Sequence, residues 1–168
     1  MKKWLAGCLL IVMNSVCSAQ EQTLRDVFRQ MPDSLLPTLT QNNRLDFLDF
    51  YDAGMKAEVK NRFGGTSVMT ALTNDSLSLQ MSHALRVDML LLTLVEPTDS
   101  MKQVIVVGET FLADSLYGET TVRYYTTDWH PTSVPLMSEL QQQRIDGLRL
   151  QTILKWSDEI LNKVKKNI

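Results

Sequence analysis

Met55-Lys56-Ala57-Glu58-Val59-Lys60 opens the segment from Met55 to Thr126, whose sequence pattern decides the fold class. In this run, and again in Leu77-Ser78-Leu79-Gln80-Met81-Ser82, apolar and polar residues alternate, as in a strand that buries one face. Gly64-Gly65 and Asn74-Asp75-Ser76 lie at the ends of such runs and are typical turn residues. The segment is therefore predicted to be a meander of short antiparallel strands.

Two runs inside the same segment, Leu85 to Leu94 and Val104 to Val107, are apolar with little alternation. Central strands that are covered on both faces have this character. The first run also fits a helix by periodicity, but the strand-like segments on both sides favour a strand. Together with Val68 to Thr73 and Glu119 to Thr126, the segment contains six candidate strands.

Helical patterns lie on both sides of the predicted sheet. Each has apolar residues at helical spacing, and most have a residue at one end that can cap a helix. The four patterns are Leu24 to Met31, which follows Thr23; Thr40 to Ala53, which precedes Gly54; Ser138 to Gly147; and Leu150 to Val164. We therefore predict an α+β fold with two N-terminal helices, an antiparallel meander sheet of five to six strands, and a C-terminal helix packed on one face.

The first 19 residues have the features of a secretory signal peptide. Lys2 and Lys3 precede an apolar run that is too short to span a bilayer, and Ala19 is a small residue at a plausible cleavage position. Leu5-Ala6-Gly7-Cys8 resembles a lipoprotein acylation motif, but its apolar run follows the cysteine, so cleavage after Ala19 is favoured over a lipid anchor. Residues 20–168 are then one α+β domain, periplasmic or secreted.

Composition excludes several functional classes for the cleaved chain. Both cysteines lie in the leader, so the domain has no disulfide and no thiolate metal site. Loss of Lys2 and Lys3 leaves 15 basic against 19 acidic residues, a net charge of −4, which does not suit a nucleic-acid partner. We expect no transmembrane span in the mature chain and assign no cofactor.

Four short segments carry a resemblance to a known family: Met31 to Pro37, Asn42 to Phe47, Ala71 to Asp75, and Thr127-Asp128-Trp129-His130-Pro131. Together they resemble a family of small exported proteins of unknown function found in Bacteroidales. The resemblance covers nearly all of the mature chain and supplies no catalytic residues. It implies export into a Gram-negative envelope.

Acidic residues and histidines are the first candidates for chemistry. Asp46, Asp49 and Asp52 recur every three residues in the second predicted helix and share one side of it, where carboxylates can hold a cation or act in hydrolysis. A solvated acidic helix face explains the same spacing. His83 and His130 are the only histidines and lie in no catalytic motif, so we assign no catalytic or metal residue.

Two further groups are candidate sites. Tyr117, Tyr124, Tyr125 and Trp129 collect near the end of the sheet and suggest an aromatic platform for a sugar or peptide, or ordinary core packing. The pattern Asp-Ser-apolar resembles an O-glycosylation motif of exported proteins in Bacteroidales, although Asp-Ser is equally common in turns; its serines are Ser34, Ser76, Ser100 and Ser115.

No constellation of residues in the sequence is sufficient for catalysis, which favours a non-catalytic interaction or binding module of the cell envelope. Its partner would be an envelope protein or a glycan, and the edge strand at Lys56 to Lys60 could accept a partner strand. Two alternatives remain open. One is a hydrolase that acts on glycan or peptide through carboxylates, and the other is a carrier of a small apolar ligand inside a curved sheet.

Overall fold

The centre of the protein is one antiparallel sheet whose strands are adjacent in chain order. A computed structural model describes residues 22–98, 101–114 and 117–148. The sheet order is β1-β2-β3-β4-β5-β6, and the elements are α1 (Leu24–Gln30), α2 (Gln41–Asp52), β1 (Glu58–Lys60), β2 (Thr66–Leu72), β3 (Ser76–Gln80), β4 (Leu85–Thr93), β5 (Gln103–Asp114) and β6 (Tyr117–Tyr125). A third helix, α3, is described over 139–148.

The predicted α+β meander is confirmed, including the strand interpretation of the Leu85 to Leu94 run, which forms β4. β5 is longer than its apolar sequence run, because Gln103–Asp114 pairs with β4 on one side and β6 on the other. The predicted leader and the predicted helix from Leu150 to Val164 lie outside the described residues.

One face of the sheet, here called the first face, packs against α1 and α2. Strand side chains point alternately to opposite faces, and Leu79, Met89 and Ile105 from neighbouring strands point to this one. They share one apolar core with Phe28 of α1 and Phe47 of α2, and all five side chains are fully buried. The first face therefore holds the main core.

The opposite face, here called the second face, has a smaller apolar core at one end. Leu90 and Leu92 of β4 and Val106 of β5 pack there with Ile145 and Leu148 of α3. The sheet is thus covered by helices on both faces, with the N-terminal helices on one side and α3 on the other.

Capping residues explain where the two N-terminal helices begin. Thr23 caps α1 together with Asp26, and Thr40 caps α2 together with Asn43, each by a reciprocal side-chain and backbone arrangement. At the other end of α2, Gly54 has φ 66°, the left-handed conformation that glycine adopts without steric cost. Both predicted N-caps and this terminating glycine are confirmed, whereas Gly147, predicted to end a helix, lies inside α3.

The buried side of α2 differs from the stripe that sequence spacing suggests. Phe47 and Leu48 are buried, but Tyr51 is 38% exposed and Leu45 is only half-buried. Arg44 takes the remaining inward position and is 2% exposed. Because its guanidinium bonds to polar groups at the end of α1, an arginine can occupy a position that the pattern alone assigns to an apolar residue.

Candidate functional site

The sheet has two edges, and the one at β1 is short and partly occupied. Met69 N donates to Ala57 O, and Asn61 N donates to Gly65 O, both at 2.9 Å. The backbone groups of Ala57 and Asn61, at the two ends of β1, therefore face β2. By the antiparallel alternation, the backbone groups of Lys60 face away from the sheet. Its carbonyl accepts a bond from the Asn43 side chain at 3.1 Å, so α2 closes part of this edge.

The other edge, at β6, is nine residues long, and few described residues contact its outward backbone groups. Thr132 N donates to Tyr124 O at 3.0 Å from the outer side of the strand. Since outward and inward backbone groups alternate along an antiparallel strand, Thr120 and Val122 also point their N–H and C=O groups outward. No other described residue hydrogen-bonds to those outward groups. Unpaired groups of this kind are a template for another strand.

The side chains of β6 differ between the two faces of the sheet. Glu119, Thr121 and Arg123 are exposed on the first face, whereas Thr120 and Val122 are half-buried on the second. Arg123 Nη1 lies 2.5 Å from a carboxylate oxygen of Glu109 on β5. The edge therefore presents one acidic and one basic residue on the same face, separated by an exposed threonine.

The loop after β6 limits the edge at its C-terminal end. Trp129 has φ 67°, which is unusual for a bulky residue, and its indole Nε1 donates to Val27 O of α1 at 2.8 Å. Its ring lies 5.7 Å from that of Tyr125. This buried tryptophan fixes residues 126–132 against α1, so Thr132 is held beside Tyr124.

The same loop presents an aspartate and a histidine at the surface. His130 Nδ1 lies 2.9 Å from Asp128 Oδ2, and the histidine side chain is 76% exposed. The Thr126 hydroxyl hydrogen-bonds to Asp128 and, more than the nearby histidine, holds the pKa of that carboxyl below its ordinary value. In the described ranges, no group of three His, Cys, Asp or Glu side chains could hold a metal ion.

The structure keeps two residues of the proposed aromatic platform, Tyr125 and Trp129, together and places Tyr124 on the opposite face of the sheet. Tyr125 and Trp129 are buried in the main core, and Tyr124 packs in the smaller core on the second face. The Tyr117 side chain lies outside the described part. Strand alternation sends the neighbours Tyr124 and Tyr125 to opposite faces.

The remaining candidates lie mostly at the surface. Asp46, Asp49 and Asp52 are all exposed, and Asp52 accepts two bonds from Arg25 at 2.6 and 2.8 Å. His83 is also exposed. Of the Asp-Ser serines, Ser34 is exposed in a turn and Ser76 is half-buried at the start of β3, while Ser100 and Ser115 lie outside the described residues.

Sequence reasoning missed a polar cluster on the second face. Asp88 is 3% exposed and accepts bonds from Ser78 Oγ at 2.5 Å, Arg86 Nε at 2.7 Å and Arg86 Nη2 at 2.9 Å. The sequence feature that could have revealed this cluster is the spacing of Arg86 and Asp88, because residues two apart on a strand share a face. Among the described residues, no buried side-chain polar atom of this trio lacks a hydrogen-bond partner, so the cluster has a structural explanation.

A polar cleft of about 430 Å³ lies between α3 and the ends of the strands. Its walls include Asp75, Gln103, Gln141 and Arg144. Gln141 donates to Thr93 O at 2.6 Å, and Arg144 pairs with Asp75 at 3.0 Å. Gln103 donates to Gln22 O at 3.2 Å, so each of these side chains has a partner, and the cleft is not the apolar chamber that a ligand carrier needs.

Comparison with known proteins places this fold in a family. A family model described as "protein of unknown function (DUF3256)" matches residues 16–160. A solved structure of a domain of an uncharacterized protein from Porphyromonas gingivalis W83 is similar, with 28% identity and a TM-score of 0.54. The alignment covers 67% of this chain and 55% of that one, so this chain spans little more than half of its structural relative.

No curated protein matches the sequence. In the part of the chain with described structure, no helix is long and apolar enough to cross a bilayer. Because the family model covers most of the sequence, the chain belongs to the DUF3256 family of proteins of unknown function.

Proposed function

We propose that this protein is an exported, non-catalytic interaction module of the bacterial cell envelope that binds an extended protein strand along β6. The observation that carries the proposal is the open edge of β6, where the outward backbone groups of Thr120 and Val122 have no partner among the described residues. An added strand satisfies these groups in the way that β-augmentation domains bind peptides.

The contrast with β1 supports the choice of edge. β1 is three residues long, and Asn43 occupies the Lys60 carbonyl. β6 is three times as long, and its loop is fixed by the buried indole of Trp129. An edge that neighbouring contacts already hold in place loses little conformational entropy on binding, which favours affinity.

The leader at residues 1–19 and the resemblance to exported Bacteroidales proteins support export into the periplasm or to the outside.

The described residues favour neither of the alternative functions, the hydrolase or the carrier of an apolar ligand. Asp46, Asp49 and Asp52 face solvent instead of lining a cleft, and the 430 Å³ cleft is polar. A hydrolase needs carboxylates that converge on substrate, and an apolar carrier needs an enclosed apolar cavity.

Site-specific photocrosslinking in the native host tests the proposal. A photoreactive amino acid replaces exposed Thr121 on β6, and a matched probe replaces Glu58 on β1. We expect a discrete crosslinked product from position 121 and none from position 58. Equal products from both edges, or none from position 121, would contradict a specific site on β6.

Proline scanning identifies the backbone contribution. Thr120→Pro removes an outward N–H that takes no part in the sheet, and an edge strand tolerates such a proline. The change also removes the Thr120 hydroxyl, which lies 2.9 Å from that of Thr110, so Thr120→Val is the control. The crosslink at position 121 should be lost in Thr120→Pro and kept in Thr120→Val, with both variants folded by circular dichroism.

A further inference from the structure

We infer that the polar cleft between α3 and the ends of the strands binds a neutral saccharide, as a free sugar or as the end of a glycan chain. This inference goes beyond the proposed strand binding, because none of the described residues that line the cleft belongs to β6. The observation that carries it is the hydrogen-bonding capacity that the lining side chains leave unused.

The cleft is built where several segments of the chain converge. The residues before α1, the turn between β2 and β3, the end of β4, the start of β5, and α3 all contribute to its lining. Its volume of about 430 Å³ lies within the roughly 300–1,000 Å³ of small-molecule sites. Arg144 and Asp75 are 42% and 51% exposed, so the cleft is open to solvent. It can therefore admit a ligand of mono- or disaccharide size.

The amide side chains of the lining use only part of their capacity. A glutamine amide has two N–H donors and one carbonyl acceptor. Gln103 donates to Gln22 O at 3.2 Å, and no described residue donates to its side-chain carbonyl. Gln141 donates to Thr93 O at 2.6 Å and accepts from Ser138 N at 2.9 Å, which leaves one of its N–H donors without a described partner. The lining therefore offers both an acceptor and a donor to a ligand.

The charged pair of the lining adds further donors without adding net charge. Arg144 reaches Asp75 through Nη1 at 3.0 Å, and its Nε and Nη2 have no partner among the described residues. The other described lining residues are uncharged, so the cleft as a whole is neutral. An anion or a cation would have to compete with one member of the pair, whereas a neutral ligand leaves the pair intact.

A saccharide has the chemistry that this lining requires. Each hydroxyl both donates and accepts, so neighbouring hydroxyls can accept from Arg144 and donate to the side-chain carbonyl of Gln103. Each polar group of a peptide backbone is only a donor or only an acceptor. Leu91 and Leu92 supply the apolar part of the described lining, against which the C–H groups of a sugar ring can pack. These features favour a sugar over a peptide.

A nuclear magnetic resonance titration of the isotope-labelled protein tests the inference. The probes are glucose, galactose, mannose and N-acetylglucosamine, and the disaccharides maltose, cellobiose and lactose, each at millimolar concentration. We expect a member of this panel to shift the side-chain amide signals of Gln103 and Gln141 in a saturable way. The backbone amide signals of β6 should not move, because β6 does not line the cleft.

Matched variants connect the binding to the cleft. Gln103→Leu keeps most of the side-chain size but removes its donors and acceptor, and it should weaken the binding of that sugar about tenfold. Gln143→Leu makes the same chemical change at an exposed position of α3 outside the lining, and it should bind like the wild-type protein. Arg144→Lys keeps a cation beside Asp75 but loses the planar fork of N–H groups, and it should also weaken binding. Circular dichroism checks that all three variants are folded.

The outcomes separate the saccharide from other ligands. Tighter binding of a disaccharide than of its monosaccharide supports the end of a glycan chain, and binding of a monosaccharide alone supports a free sugar. The inference is overturned if no sugar of the panel shifts the cleft signals, or if folded Gln103→Leu and Arg144→Lys both bind like the wild-type protein. Saturable shifts caused only by a capped neutral dipeptide, N-acetyl-dialanine amide, would overturn it in favour of a peptide. The crosslink from position 121 does not depend on the cleft, so this inference and the proposed function fail separately.

Discussion

The two faces of the sheet are built from the same strands but by different means. On the first face, side chains from all the central strands join α1 and α2 in one continuous apolar core. On the second face, the apolar residues cluster beneath α3, and the neighbouring positions hold Ser78, Arg86 and Asp88. The first face therefore supplies most of the hydrophobic stabilisation, and the second combines a small core with a polar network.

The arginines that connect helices to the rest of the protein show the same difference. Arg44 on α2 is 2% exposed and donates to Asp33 Oδ1 at 2.9 Å and to Met31 O at 2.5 Å. Arg144 on α3 is 42% exposed and pairs with Asp75 at 3.0 Å. Buried charge pairs are costly to break, whereas exposed ones contribute little. Substitutions at four sites, each with its own measurement, test how far this difference extends.

The largest effect is expected on the first face. Phe47→Ala removes a fully buried ring at the contact between α2 and the sheet and should lower the free energy of unfolding by about 3–5 kcal/mol. Urea denaturation measures this value. Leu79→Ala and Leu92→Ala give a matched comparison, because one buried leucine lies on each face. If the Leu92 variant loses more stability than the Leu79 variant, the first face is not the dominant core.

Removal of the buried arginine should have the next effect. Arg44→Ala eliminates the bonds to Asp33 and Met31 and leaves a cavity where the buried side chain was, so we expect a loss of about 2–3 kcal/mol. Arg44→Met keeps most of the side-chain volume and separates packing from polar bonding. Equal stability of Arg44→Met and the wild-type protein in urea would show that packing alone accounts for the effect.

The polar network on the second face should contribute less. Asp88→Asn replaces the charge that Arg86 contacts through two nitrogens and should cost about 1–3 kcal/mol. Replacement of both partners, Arg86→Met with Asp88→Leu, should restore much of this loss, because no unpaired charge then remains buried. Thermal unfolding measures both variants, and a double variant less stable than Asp88→Asn would contradict this account.

The sequence predicts much of the fold because its information is local. Alternation, turn residues and capping threonines lie within a few positions of the elements that they specify, and the meander joins neighbours in the chain. The burial of Arg44 is different. It depends on Asp33 and on the carbonyl of Met31, whose positions at the end of α1 are set by the tertiary structure.

The candidate site was less accessible to sequence reasoning. Which residues of β6 point their backbone groups outward depends on pairing with β5 and on the contact between Thr132 and Tyr124. No pattern of side chains in the sequence shows which residues of β6 point their backbone groups outward. The sequence placed a docking edge at Lys56 to Lys60, and the structure adds Asn43, which partly occupies it. Lysines on an edge are visible in a sequence, but an amide that approaches from a helix is not.

The smallest effect is expected at the ion pair that joins α3 to the turn before β3. Burial tends to raise the pKa of Asp75, but hydrogen bonds from Thr73 and Arg144 outweigh it and hold the pKa below its ordinary value. A carboxyl with a lowered folded pKa adds stability above its unfolded pKa of about 3.9, and this contribution is lost as the pH falls through the folded pKa.

Arg144→Gln should therefore cost less than about 1 kcal/mol at pH 7. The difference from the wild-type protein should shrink in 1 M NaCl and as the pH falls through the folded pKa of Asp75, because salt screens the pair and acid neutralises the carboxylate. Urea denaturation at pH 7 and pH 3, with and without salt, measures it. A loss at pH 7 as large as that of Arg44→Ala would mean that α3 depends on its surface pair as strongly as α2 depends on its buried one, and the contrast between the two faces would not extend to their helices.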